Sequence, residues 1–352
     1  MKLFALTISI LLYAPMWGQS KLDSLRMNTR TMDRPITVFK GELRINGGYR
    51  FDIFNNRYDG AGEKINLSAM DGKAAFQDAL FMNMRYGITD FLDIEVNLLD
   101  FKKMTVRETP VDIIEDVVWE ISRLTETVGN EDLLLKLNMR WPGLPRVVDV
   151  GLSPGISFPT ARHGEQQPQH GYNLPQSSLG IDSPDAVYID YHQVYKWGAG
   201  VTRSYLEGMV KWRGQNVALS GAYSAHFPLK TGKAVYWIHR LDKAHFSYRS
   251  VEYEYDWADF YALNLMAEYQ AYSWLDILMG FNHRTWKNGW EGMTGEIRAL
   301  PERKLANLNL GYEVIITPKM WLRQWLRFPV SGKNTMSSFV VDTKFVYSLS
   351  FK

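Results

Sequence analysis

Two short patterns pair a histidine with a serine. His245-Phe246-Ser247 and Ser224-Ala225-His226 each leave one residue between the pair, the spacing that puts both side chains on one face of an extended chain. A serine nucleophile with a histidine base, oriented by Asp259 or Asn264, is the chemistry of a lipid hydrolase. Neither copy sits in a longer hydrolase-like motif, so a polar strand face is the preferred reading and no enzyme is expected. His163 and His170, with Glu165, Gln166 and Gln169, match no standard metal-ligand set. Their segment, 159–186, is rich in Pro, Gly and Gln, as an external loop would be. The chain has no cysteine, which removes thiol catalysis, Cys-ligated metal and disulfides. No glycine loop stands between a strand and a helix to cradle phosphate. Neither a metal nor a cofactor is expected, and 40 Lys+Arg against 38 Asp+Glu leave no basic field for nucleic acid.

Charged residues that recur in step with apolar ones carry more information. Glu42, Arg44 and Arg50 alternate with Leu43, Ile45, Tyr49 and Phe51, a period of two. Arg85 lies opposite Met84 and Tyr86; Asp93 and Glu95 oppose Ile94 and Val96; Asp132, Lys136 and Arg140 oppose Leu133, Leu135, Leu137 and Met139. Together with Asp149 these charged residues are the candidate lining of a polar lumen. Their signs are balanced, so they can line a hydrated path without strong ion selectivity, or pair and close it.

Strands of about ten residues with one apolar and one charged face are the lipid-out, water-in signature of an outer-membrane barrel, whereas sandwich strands are usually shorter. An unusual aromatic content (12 Trp, 19 Tyr, 17 Phe) suits surfaces half in lipid and half in water. The expected architecture is an all-β, transmembrane, antiparallel up-and-down barrel of about fourteen strands, with twelve to sixteen allowed. The strands are expected at 41–51, 76–87, 92–101, 131–141, 147–158, 187–197, 202–212, 217–227, 246–256, 259–270, 275–285, 304–316, 320–330 and 338–351. The stretch 187–257 is the weak part, because both faces there carry Tyr and Trp. Turns at 87–90, 142–146, 271–274 and 317–319 are short, while 52–75, 102–130, 159–186 and 286–303 are long. Short turns belong on the periplasmic side and long loops outside.

The first 18 residues read as a cleaved export signal: Lys2, an apolar run from Leu3 to Ala14, then small Gly18 before Gln19. Residues 19–40 follow as an N-terminal periplasmic segment, and 41–352 form the barrel. The expected location is the outer membrane, with its lipid as a partner. Alternating Phe345, Tyr347, Leu349 and Phe351 in the last strand look like the signal read by the outer-membrane assembly machinery, although Lys352 follows them. Within the long loop 102–130 a helix is expected over 109–128, capped by Thr109 and started by Pro110. Val111, Ile114, Val118 and Ile121 share its apolar face and are the candidate constriction of the pore.

The run Met84-Arg85-Tyr86-Gly87-Ile88-Thr89-Asp90-Phe91-Leu92-Asp93-Ile94 resembles a hairpin of the phenol meta-cleavage-pathway family of outer-membrane proteins. Gly129-Asn130-Glu131-Asp132-Leu133-Leu134-Leu135-Lys136 is similar to a strand of that family. Gly155-Ile156-Ser157-Phe158-Pro159-Thr160 resembles its strand end, with Ala161 in place of the family's glycine. The likeness spans about residues 80–165, and Pro35 to Gly41 looks like related barrels of the Bacteroidota. The resemblance implies a barrel that moves small, often apolar or aromatic, molecules, and it brings no catalytic residues. The function expected is therefore a passive channel or transporter for small solutes. The alternatives are an interaction barrel binding a partner through its long loops, and a lipid hydrolase using His245 and Ser247.

Overall fold

The computed structural model describes residues 34–66, 74–108, 111–114, 117–120, 123–141, 147–161, 187–188, 201–242, 245–256, 258–293, 296–317 and 319–351. Twelve antiparallel strands close into a barrel. They are β1 (Glu42–Tyr58), β2 (Ala74–Thr89), β3 (Leu92–Glu108), β4 (Leu133–Arg140), β5 (Val148–Phe158) and β6 (Arg203–Arg213) in the first half. The second half is β7 (Val217–Pro228), β8 (Asp259–Tyr272), β9 (Leu275–Lys287), β10 (Arg303–Thr317), β11 (Met320–Lys333) and β12 (Thr335–Ser350). Each strand pairs with its sequence neighbours, and β12 closes on β1 from Glu42↔Ser350 to Tyr58↔Thr335. Closure removes every sheet edge, which is what a strand needs to satisfy its backbone in lipid.

The polarity is inverted relative to a water-soluble core. Glu42, Arg44, Asn46, Asp93, Glu95, Asn138, Asp149, Glu268 and Glu313 are buried, Asp93 and Glu313 completely. Leu80, Leu219, Leu265, Met279, Leu310 and Phe345 are exposed, Met279 at 56%. Period-two alternation sends one set inward and the other outward, and an apolar exterior around a polar interior is the arrangement of a membrane-spanning barrel. Tyr86, Trp141, Tyr269 and Trp274 are exposed at one rim, where an amphipathic ring can meet lipid and water together.

That rim carries the short turns between β2 and β3, β6 and β7, β8 and β9, and β10 and β11. The opposite rim carries the long connections, and there the strand pattern continues. Gly232–Asp242 and His245–Asp256 prolong β7 and β8 as a hairpin, paired onward to Trp290–Met293 and then Glu296–Ala299. The expected strand 246–256 is therefore real but stands in this outer extension, not in the barrel wall. Of the expected strand 187–197, the described part is Val187–Tyr188, which pairs with His239 and Arg240 in the same extension. Removing these two takes the wall from fourteen strands to twelve.

The helix expected over 109–128 is also corrected. Its described residues are extended: Val111–Ile114 pairs with Val117–Glu120, and Arg123–Asn130 pairs with the outer part of β3. The spacing of Val111, Ile114, Val117 and Val118 fits a helical stripe, but β-branched residues stiffen χ1 and favour a pleated ribbon. Among the candidate constriction residues, Val111, Ile114 and Val118 lie on these strands, and Ile121 lies outside the described residues. Arg123–Asn130 and β4 follow one another along the same edge of β3, with Asn97↔Leu134 and Phe101↔Asn130 either side of an irregular step.

Candidate functional site

The charged residues expected to line the lumen do face inward, and most of them are paired. Glu42 accepts from Arg34 at 2.6 Å, Arg44 at 3.2 Å and the Ser348 hydroxyl at 2.6 Å. Arg85 meets Asp93 at 2.6 Å and Glu95 at 3.6 Å, and Lys136 meets Glu95 at 2.9 Å. Arg140 stands 3.7 Å from Asp149, which is gripped by Arg213 at 2.7 Å. Arg50 holds Asp52 at 3.1 Å, and Asp132 accepts from the Ala161 amide at 3.1 Å. Sequence alternation did not single out the facing cluster on β8, β10 and β11. There Arg323 binds Glu313 at 2.8 Å and Glu268 at 3.0 Å, with Lys211 3.5 Å from Glu268. Ion pairs of both signs satisfy one another across the barrel because an unpaired buried charge is costly.

The near-turn end of the lumen is filled by residues 34–40. Their backbone binds the same carboxylates: Val38 N–H to Asp93 at 2.8 Å, Phe39 N–H to Glu42 at 3.2 Å, Lys40 N–H to Asp90 at 3.0 Å and Ile36 N–H to Asp149 at 3.3 Å. Arg85 donates back to the Ile36 carbonyl at 2.8 Å. The Arg34 guanidinium lies 4.9 Å from the centre of the buried Trp321 ring. Thr37, Val38 and Phe39 are buried. This segment and the ion pairs around it pack together at the turn end of the barrel.

On the loop side of that stopper lies a cavity of about 650 Å³. Asn97, Leu98, Leu133, Leu134 and Ser157 line one side, and Arg203, His226, Trp286 and Arg303 line another. Strand register explains the second wall. Tyr205, His226, Phe260, Trp286 and Arg303 stand directly opposite one another on β6 to β10, all on the inward face. Tyr205 and His226 meet edge to face at 4.6 Å, as do His226 and Phe260 at 5.1 Å, and Phe260 and Trp286 lie tilted to each other at 5.2 Å. A cation closes each end: Lys136 Nζ is 5.5 Å from the Tyr205 ring, and the Arg303 guanidinium is 5.5 Å from Trp286. Such a row offers π faces and edges to a flat ligand while remaining compatible with water.

The hydrolase pattern finds little support in placement. Ser224 and His226 do share the inward face of β7, but the His226 ring is packed into the aromatic row. Asn264 accepts from Asn282 at 2.5 Å, and Asp259 accepts from Asn288 at 2.9 Å. His245 and Ser247 lie on the outer extension, opposite Asp242 and Arg240. His163 and His170 lie outside the described residues.

No family model matches the chain, and no curated protein matches it. Among solved structures it is similar to an outer membrane channel from Pseudomonas putida F1, with 14% identity, a TM-score of 0.58, and coverage of 89% of this chain and 97% of that one. It is also similar to the deltaS2 mutant of TodX, a monoaromatic hydrocarbon channel, with 8% identity, a TM-score of 0.50, and coverage of 90% and 91%. The fold of this chain is thus that of outer-membrane barrels.

Proposed function

We propose that this protein is a passive outer-membrane channel for small apolar or aromatic solutes. The observation that carries the reading is the inward row of touching rings His226, Phe260 and Trp286, of which His226 and Trp286 line the lumenal cavity. A lumen built only for ions would have no use for a row of touching rings. The exposed apolar belt supports insertion in lipid, and the apparent export signal at 1–18 supports delivery to the outer membrane. In this placement the turn end faces the periplasm, and the closing strand β12 carries the aromatic pattern for assembly. The channel structure and the hydrocarbon channel it resembles in fold agree with the proposal. So do the motif likenesses to the phenol meta-cleavage-pathway family between residues 80 and 165. Glu42, Arg44, Arg85, Asp93, Glu95, Arg140 and Asp149 act as the fastening of residues 34–40, and the aromatic row is the solute-contacting wall.

The test is uptake of radiolabelled benzyl alcohol by intact bacterial cells with and without the protein in their outer membrane. Faster uptake with the protein is expected, and a Trp286→Ala/Phe260→Ala double variant should lose most of the gain. Equal uptake with and without correctly inserted protein would reject the channel.

A further inference from the structure

Arg303 is a cation of the cavity wall placed against an aromatic ring. It lines the cavity, is half-buried, and stands directly across the ladder from Trp286 with its guanidinium against that ring. Arg44, Arg85, Arg213 and Arg323 each hold a carboxylate within 3.2 Å. Lys136, at the other end of the aromatic row, is neutralised by Glu95 at 2.9 Å. Among the described residues Arg303 forms no ion pair. The acidic residues that share its cavity are engaged elsewhere: Glu131 bonds Lys102, Asp100 lies 3.5 Å from the same ammonium, and Asp132 holds the Ala161 amide. A guanidinium partly removed from water, stacked on a ring and lacking an anion is an arrangement that a ligand anion completes.

We infer that the cavity selects aromatic solutes bearing an anionic group, the class of aromatic carboxylates, with the ring against His226 and Trp286 and the carboxylate on Arg303. The inference rests on the channel reading and narrows its solute. The rings supply sequence-independent stacking and apolar contact, which a neutral arene also enjoys. The charge-assisted bond to Arg303 is what separates the anion from the arene.

Equilibrium dialysis of the detergent-solubilised full chain against radiolabelled benzoate, benzyl alcohol and acetate tests it, with protein-free micelles subtracted. The parent protein should bind benzoate roughly tenfold or more tightly than either benzyl alcohol or acetate, as expected for one hydrogen bond to a charged group plus a ring contact. Arg303→Gln should erase the preference for benzoate over benzyl alcohol, Arg303→Lys should retain most of it, and Trp286→Leu should weaken both aromatic probes. Equal binding of benzoate and benzyl alcohol by the parent overturns the inference without any variant, as does an undiminished preference in Arg303→Gln. The channel itself is judged separately, by benzyl alcohol uptake into cells, so either reading can fail alone.

Discussion

The Val38 amide donates to the Asp93 carboxylate at 2.8 Å, and the same carboxylate receives the Arg85 guanidinium and the Asn138 amide. One fully buried side chain thereby ties the segment before the barrel to β2, β3 and β4. The charges read from the sequence as lining a hydrated path or pairing to close it are bonded here to one another and to the backbone of 34–40.

Asp93→Ala should both loosen the stopper and weaken the barrel. It takes from the partly buried Arg85 its nearer carboxylate, leaving Glu95 at 3.6 Å, and it removes the acceptor of the Val38 amide. Breaking a buried pair from one side costs about 3–5 kcal/mol. The expected outcome is a lower unfolding temperature and larger, noisier single-channel conductance in planar bilayers. Parent-like values in both measurements would show that Asp93 fastens nothing.

Arg323 makes an independent case on the far wall. It holds Glu313 and Glu268, and Glu313 is completely buried. Arg323→Met takes one guanidinium from two carboxylates at once, with Lys211 3.5 Å from Glu268, and should destabilise the barrel by about 3–5 kcal/mol in urea titration. Adding Glu313→Gln to that variant should recover much of the loss, since it removes a carboxylate that has lost Arg323 while Glu268 keeps Lys211 beside it. Failure of the double variant to recover would place the loss in packing.

Much of the wall was legible in the sequence because alternation there is clean. Glu42, Arg44 and Arg50 against Leu43, Ile45 and Tyr49 give the inward and outward faces of β1 directly. The overcount arose at 246–256, where Tyr248, Tyr253 and Tyr255 mix with charged residues and the pattern does not separate a wall strand from a strand of the outer extension. The helix misreading arose because Val111, Ile114 and Val118 satisfy a 3.6-residue stripe and a short β-ribbon equally well. Periodicity alone does not separate the two over so few residues.

The aromatic row was not legible for a different reason. Tyr205, His226, Phe260, Trp286 and Arg303 come from five strands, and only the pairing register brings them side by side. Each is one inward residue near the loop end of its strand, a local signal shared with many others. The Ser224–His226 spacing put those two side chains on one strand face, but it could not show the rings that flank His226 there. The stopper was hidden likewise, since its bonds run from backbone amides of 36–40 to carboxylates far along the chain.

Two neighbours on β8 separate lipid from lumen. Leu265 is exposed on the outward face, while Asn264 bonds Asn282 on the inward one. Leu265→Arg should cost about 2–4 kcal/mol in folding into lipid vesicles, the figure for a cation at mid-membrane on a barrel's lipid face. Asn264→Leu should cost less and leave insertion intact. A harmless Leu265→Arg would mean that this face does not meet hydrocarbon.

Gly87 offers a way to move the stopper without touching any charge. A Cβ at this position would lie 1.9 Å from the Phe39 carbonyl oxygen and 2.6 Å from its carbon, backbone atoms that cannot swing aside as a side-chain tip would. The Gly87 carbonyl also accepts the Gly41 amide at 2.8 Å, so this is where the segment turns into β1. Gly87→Val must therefore displace 38–40 or distort the β2–β3 turn. Gly87 stands at the turn end of β2, where the ladder runs regularly from its Asp93 pairing back to Asn83↔Asn97 and shifts register only toward Thr89, so displacement of the segment is expected to be the smaller disturbance. Conductance should rise in Gly87→Val while the unfolding temperature changes little, the reverse of the balance in Arg323→Met. A variant lacking residues 34–40 sets the upper limit of that rise. If the deletion conducts like the parent, residues 34–40 are not what blocks the lumen; if Gly87→Val alone fails to rise, the clash is absorbed in the turn.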